Sequence, residues 1–390
     1  MQVETTDGVM IIGGGIGGLC AALALQQAGI PVRVYERAPA ITEIGAGLPL
    51  WANATRVLDS LGIGAALRAV SVPGMTAEFR SARGTLLAEL PSHKLVEKYG
   101  AAHIGVHRAD LQAILLAALH PGVVTLGARC VGFRQDGSGV TARFADGRQA
   151  RGSILVGADG MRSVVRTQLV DRRPPRYAGY TAWRGVAPLQ TDLFPLGVGM
   201  ETWGRGRRFG ASHIGGGRVY WFATKTAPEG ERDRPGGRKA ELRACFRGWH
   251  PLIGLIIEAT EDGAILRNDI YEHRALRRWG AGRVTLLGDA AHTMTPNLGQ
   301  GACQAIEDAA VLAHCIRLIP DPGAALRRYE ARRNPRTTLI AKQSQLTGRF
   351  AQVQHSVACR VRDTLTKLTP AAVILKQIEW IVGYDATRSA

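Results

Sequence analysis

The stretch VMIIGGGIGGLCAALALQQAGIPVRVYER, Val9 to Arg37, decides the fold. Val9 to Ile12 is apolar without alternation, which is the pattern of a strand buried on both faces. Gly13, Gly15 and Gly18 fit GxGxxG where that strand meets an apolar helix, Gly17 to Ala28, stopped by Gly29. Val32 to Glu36 reads as a second strand, so the segment opens a doubly wound α/β domain with a strand–helix–strand unit. Glycine allows the tight turn and lets the amides at the helix start approach a pyrophosphate. By itself the glycine triplet is a common pattern, so further signals have to say what is bound.

Glu36 closes the second strand, where a carboxylate can hydrogen-bond a ribose diol and would repel a 2′-phosphate. That points to the adenosine of FAD or NAD and away from NADP. In SILVGADGMRSVVR, Ser153 to Arg166, a buried strand delivers Asp159-Gly160 to a turn, with Arg162, Ser163 and Arg166 after it. In RVTLLGDAAHTMTPNLGQG, Arg283 to Gly301, an apolar run is cut by Gly288-Asp289 and a loop holding Pro296, Asn297, Gly299 and Gly301. A carboxylate at the end of an apolar strand is costly unless something accepts its charge or hydrogen bonds. Asp289 is therefore expected to take ribityl hydroxyls, and the helix opening near Gly301 to offer free N–H groups and a dipole to an anion. An extended FAD lying across these strand ends accounts for all three signals.

The 390 residues are 46% hydrophobic, enough for one large or two interleaved domains with a substantial core. Six cysteines form no CxxC pair and no zinc spacing, so we expect a reduced, cytoplasmic protein without a metal. Val9 to Leu25 is the most membrane-like run, but it holds five glycines and follows Glu4 and Asp7, unlike a signal peptide. Nothing else is long enough to span a bilayer, and no stable membrane association is expected. The net charge of +17 comes from scattered arginines without a nucleic-acid-binding motif. It suits anionic small molecules better than nucleic acid. From Tyr177 to Asn268 the texture becomes alternating and aromatic-bearing, which predicts a mainly antiparallel sheet inserted into the first domain. Ala371 to Gly383 is amphipathic and expected to pack on its own domain.

Together these residues resemble the single-component, FAD-dependent aromatic hydroxylases, the group of para-hydroxybenzoate and salicylate hydroxylases. The resemblance covers most of the chain: GGGIGG with Glu36-Arg37, GAG (Gly45 to Gly47), HRADL around Arg108, GADGMRSVVR, GYTAWRG (Gly179 to Gly185) and GDAAHTMTPNLGQG. It implies a Rossmann-like FAD-binding domain of residues 1–74, 100–175 and 275–345. A substrate domain of 75–99 and 176–274 and C-terminal helices of 346–390 would complete the chain. It also implies that Gly13, Gly15 and Gly18 hold the pyrophosphate, Glu36 the ribose, Arg37 and Arg108 the adenosine and pyrophosphate side, and Asp289 the ribityl chain. Gly47 belongs to the same site. Pro296 would lie beside the reacting face of the flavin, and Gly299, Gln300 and Gly301 would aim amides at its pyrimidine edge. Asp159 and Arg162 match the motif that serves FAD and a transient nicotinamide cofactor. One departure is LPLWAN, Leu48 to Asn53, where relatives often carry a Gln and Ser-Pro; it bears on how freely the flavin swings toward NAD(P)H.

The chemistry implied is reduction of FAD by NADH or NADPH, addition of O2, and transfer of one oxygen atom from a flavin hydroperoxide to an electron-rich aromatic substrate. No second GxGxxG follows residue 100, which fits a nicotinamide that docks briefly and leaves. His213 is the expected base, with Trp183, Arg184, Tyr220 and Phe222 lining the substrate pocket. The alternatives are an epoxidase acting on an alkene, a tailoring hydroxylase of a terpenoid or polycyclic product, or a flavin-binding sensor without turnover. The WxWxIP signature of flavin halogenases is missing. Either a monomer or a homodimer fits.

Overall fold

A computed structural model describes residues 3–41, 46–74 and 76–388; Gly45 of the GAG motif lies outside them. The central layer is a five-stranded sheet in the order Val284–Leu286, Ile154–Gly157, Val9–Ile12, Val32–Tyr35, Val124–Thr125, parallel throughout. Its middle strands are fully buried, as their unbroken apolar sequence requires. The helices Ile16–Gln27 and Gly301–Leu318 pack against each other, and Gly17 permits the approach: a Cβ there would stand 2.9 Å from that of Ala305. A four-stranded sheet built from Val3–Thr5, Gln149–Gly152, Val140–Phe144 and Cys130–Gln135 lies alongside.

A seven-stranded sheet runs in the order Leu266–Glu272, Arg176–Pro188, Arg218–Thr226, Arg207–His213, Val198–Trp203, Thr76–Ser81, Leu86–Leu90. It is antiparallel except where Val198–Trp203 joins Thr76–Ser81. Alternation divides its side chains. One face carries Trp183, Phe209, Ala211 and Trp221 into a core closed by the helices Gly237–Cys245 and Pro251–Ala259. The opposite face carries Arg184, Arg208, Tyr220 and Phe222, as the pairs Arg184↔Phe222 and Ser212↔Tyr220 require. That second face meets the strand Gly47–Leu50 of a small three-stranded sheet and the turn Pro296–Leu298.

Three helices end the chain: Pro322–Ala351, Ser356–Leu368 and Ala371–Val382. The last buries Leu375 and Val382 against Leu90 and Leu95. No described helix is long and apolar enough to cross a membrane, and the described residues contain no metal-binding group of three His, Cys, Asp or Glu side chains. All six cysteines are buried and free.

Candidate active site

The strand Val9–Ile12 ends at Gly13, whose φ of +111° and crowded surroundings both demand glycine: a Cβ would sit 2.4 Å from the Ala158 carbonyl oxygen. Gly18 is crowded in the same way, since a Cβ there would sit 2.0 Å from the Gly13 carbonyl oxygen. Gly15 differs, since a Cβ there would meet no protein atom within 4 Å. It borders open space at the start of Ile16–Gln27, a helix that no side chain caps. Uncapped amides beside an open glycine form a cradle for a pyrophosphate. Glu36 stands at the rim, its carboxylate accepting from the Gly14 amide at 2.6 Å and the Ala38 amide at 2.8 Å. Each oxygen keeps a lone pair for a ribose hydroxyl. Arg37 is exposed at the same edge, and Arg108 opens the helix Arg108–Ala117 close enough to Asp289 to act on its charge.

Asp289 follows Gly288, which bends the strand end with φ +61°. It is exposed to solvent and its side chain accepts no hydrogen bond among the described residues, while protein crowds around it, as on the floor of an open cleft. That enclosure pushes its carboxyl above the ordinary range, while His292, His273 and Arg108 draw it back. An enclosed acid that lacks donors fits the hydroxyls of a ribityl chain. Beyond it, Pro296–Leu298 forms one 3-10 turn and Gly299 takes φ +61°, held close by Pro49 and Trp51 of the LPLWAN segment. Gln300 and Gly301 then start a helix with no side-chain cap. The residues present therefore fit an extended FAD along the strand ends.

Asp159 does something more local than the sequence suggested. Its oxygens accept from Ser163 Oγ at 2.5 Å and from the Val164 and Val165 amides at 2.7 and 3.3 Å, so it caps the helix Val164–Leu169. The same loop packs on Gly13 through the backbone of Ala158 and Asp159. Arg166, buried in the same motif, donates to the carbonyls of Ala290 and Ala291 at 3.2 and 3.4 Å and so ties this loop to the Asp289 turn.

Two expected pocket residues are corrected. His213 pairs with Val219, so it projects to the face opposite Tyr220; its ring stacks on Phe194 at 4.6 Å and Nε2 meets the Phe194 carbonyl at 3.1 Å. It borders a cavity of about 660 Å³, together with Val70, Leu189, Leu196 and Arg218, that includes none of the cofactor-side residues. It is in no position to serve as the base. Trp183 is fully buried on that same far face, with its indole N–H donating to Asp233 at 3.1 Å. Adjacent residues on a strand point oppositely, so Trp183 and Arg184 never share a pocket.

Arg184, Tyr220 and Phe222 do come together on the cleft face. Gly47 lies directly beneath Tyr220, since a Cβ would be 2.4 Å from the Tyr220 ring. Burial raises the Tyr220 pKa, and the hydrogen-bonded Arg184 lowers it in part, so the phenol stays protonated at neutral pH. Arg184 pairs with no carboxylate among the described residues. Arg208, one of the scattered arginines that the sequence did not single out, is 2% exposed. Its guanidinium donates to Asn297 Oδ1 at 2.5 Å and Glu201 Oε1 at 2.6 Å, and lies 5.9 Å over the Phe222 ring. It joins the antiparallel sheet to the turn that carries Pro296.

Also missed was the buried charge network behind this turn. Asp308 accepts from the Gly288 amide at 3.0 Å, His292 Nε2 at 2.7 Å and Arg333 Nε at 2.6 Å. Glu307 holds Arg333, Arg336 and Asn53, and Asn53 Nδ2 reaches Gln300 Oε1 at 3.1 Å. The signal was two adjacent acids inside an otherwise apolar helix, which burial forbids without cations nearby.

Comparison with known proteins agrees with this fold. The family model described as FAD binding domain matches residues 6–344. The chain belongs to the FAD-dependent aromatic hydroxylases. This hydroxylase is 44% identical over 360 residues to aurachin C monooxygenase/isomerase of Stigmatella aurantiaca, covering 92% of the chain and 94% of that relative. It is 35% identical to 3-amino-4-hydroxybenzoate 2-monooxygenase of Streptomyces cremeus, over 99% of the chain and 97% of that protein. The solved structure of Klebsiella pneumoniae HpxO with FAD and uric acid superposes with a TM-score of 0.91 at 31% identity, covering 97% and 96% of the two chains. The hydroxylase is thus an enzyme, an FAD-dependent monooxygenase, and not a flavin sensor without turnover.

Proposed function

We propose that this monooxygenase uses NADH or NADPH and O2 to oxygenate an electron-rich aromatic ring that carries an anionic or strongly accepting oxygen. The observation that supports this substrate chemistry is Arg184, a guanidinium on the cleft face with Tyr220 that pairs with no carboxylate among the described residues. A ring oxygen placed there would take a charge-assisted hydrogen bond from Arg184 and a second bond from the Tyr220 hydroxyl. These bonds strengthen as negative charge grows on that oxygen, so Arg184 favours the ionised substrate and makes the ring a better nucleophile. With His213 on the far face and Glu201 engaged by Arg208 and Trp203, activation rests on lowering the substrate's own pKa. Phe222 and Pro296 supply apolar walls that exclude water. Bound FAD supplies hydride acceptance from the nicotinamide and the activation of O2. Glu36, Asp289 and the amides near Gly15 and Gly301 hold it in place.

A second reading, oxygenation of a natural-product scaffold, is favoured by the 44% identity to aurachin C monooxygenase/isomerase and by the position of His213 away from the cleft face. One experiment separates the two. A panel of phenols, amino-hydroxybenzoates and N-heteroaromatic natural products is scored for stimulated NADH and NADPH oxidation, with peroxide and product mass followed in parallel. Product gaining one oxygen from a small phenolic acid supports the first reading. Product formation confined to the larger heteroaromatics supports the second. Peroxide alone from every compound would remove both.

A further inference from the structure

The helix Ser356–Leu368 is inside out. Its protein-facing side carries Cys359, Arg362 and Thr366, all buried. Arg362 lies 5.3 Å over the Trp203 ring and donates to the carbonyls of Ala351 at 2.9 Å and Gly204 at 3.3 Å. The solvent side carries Val357, Val361, Leu365 and Leu368, spaced at i, i+4, i+8 and i+11, and they are 57%, 52%, 53% and 73% exposed. Isolated surface leucines need no explanation, but a continuous stripe opposite a polar buried face does. Leu346 and Phe350, at the end of the preceding helix, extend the apolar surface, with Phe350 edge-on to Trp203 at 5.9 Å. Arg360 and Lys367 stand exposed one helical flank away from the stripe, and Arg349 beside Phe350 adds a third cation.

We propose that this face docks reversibly on an anionic lipid surface, the stripe entering the acyl boundary and the cations contacting headgroups. An apolar strip with a basic border is the chemistry of an interfacial helix. The charge argues for lipid over a second copy of the chain: a two-fold interface pairs a patch with itself and would bring the Arg360 and Lys367 flank against cations, because the acid on that flank, Asp363, is held by Arg362. The chain's net charge of +17 adds attraction to the same surface. Docking leaves the FAD site untouched, because none of these residues belongs to it. It differs from the sequence expectation of no stable membrane association in being peripheral and salt-sensitive.

The test is cosedimentation of the full-length, FAD-loaded protein with vesicles of phosphatidylcholine alone or mixed with phosphatidylserine. We expect binding to the mixed vesicles that weakens with added salt, and several-fold less to the neutral ones. Val361→Asp with Leu365→Asp, and separately Arg360→Glu with Lys367→Glu, should each lower partitioning by about tenfold or more. Flavin absorbance and melting temperature should not change. No sedimentation with the mixed vesicles overturns the proposal, as does binding that survives the aspartates. Light scattering that shows a dimer, converted to monomer by the same aspartates, overturns it in favour of a self-association face.

Discussion

Asp308 is completely buried, and two cationic or polar side chains and an amide converge on it. Burial alone would raise its pKa, but His292 and Arg333 outweigh that and hold it at about 2, against 3.8 for a free carboxyl. A carboxyl with a depressed folded pKa gives stability that is fully present above its unfolded value and lost as pH falls through the folded one. The window is therefore pH 4 to 2, and the amount lost is about 2 kcal/mol. Replacing Asp308 by Asn should cost about 3–5 kcal/mol at pH 7, because Arg333 is left with one buried partner fewer. Urea unfolding of both proteins from pH 7 down to pH 2.5 checks this, and the gap between them should narrow only below pH 4. A constant gap across the whole range would show that His292 and Arg333 do not depend on the Asp308 charge. FAD affinity should fall as well, since Asp308 fixes the Gly288 amide and so the Asp289 turn.

At the level of elements, the strand–turn–helix units were legible because each one is decided by residues adjacent in sequence. The parallel strands follow from unbroken apolar runs, and the glycine turn from its motif. The two glycines that fit GxGxxG first also separate folding from binding. Gly13→Ala forces a Cβ to 2.4 Å from a backbone carbonyl at a positive φ, so it should lower stability by several kcal/mol, about 2 or more, and FAD binding with it. Gly15→Ala puts its methyl where no protein atom stands, so the apoprotein's melting temperature should stay within about 2 °C of wild type. FAD affinity measured by flavin fluorescence should nonetheless drop at least about tenfold, roughly 1.4 kcal/mol. Equal affinity of Gly15→Ala and wild type would mean that the open space there is not the pyrophosphate cradle. The pocket was less legible, because its membership depends on hairpin register. The Ile214–Gly217 connection sets His213 opposite Val219 instead of Tyr220, and a change of one residue would have placed His213 in the cleft. Glu307 and Asp308 were missed for a related reason: the arginines that neutralise them lie on another helix, at Arg333 and Arg336.

Over the whole molecule, the proposed function puts the cofactor on the parallel sheet and the substrate on the antiparallel one, and on that proposal catalysis depends on how the two are joined. Arg208 is one such joint, since its guanidinium reaches Asn297 in the turn after Asp289. Asn297 is in turn anchored to the Ser344 carbonyl at 3.0 Å, and Gly348 leaves room for it: a Cβ there would be 2.3 Å from Asn297 Nδ2. The helix Pro322–Ala351 thus supports from behind the same turn that Arg208 grips from the front. Arg208→Met keeps the apolar stem over Phe222 but removes the fork, so the turn and the sheet lose their register while each domain keeps its own core. FAD affinity should remain near wild type, because none of its expected ligands is altered. The KM for the aromatic substrate should rise about tenfold. The share of NAD(P)H oxidation that ends in peroxide should increase, since a misplaced ring cannot receive the oxygen atom. Stopped-flow reduction, oxygen uptake and peroxide assays read these quantities separately. Arg208→Lys serves as the control: it restores one charge without the planar fork and should recover affinity more than coupling. If Arg208→Met left the peroxide share unchanged, the two sheets would be held in register without this contact, and the Arg184–Tyr220 face alone would have to account for placing the substrate.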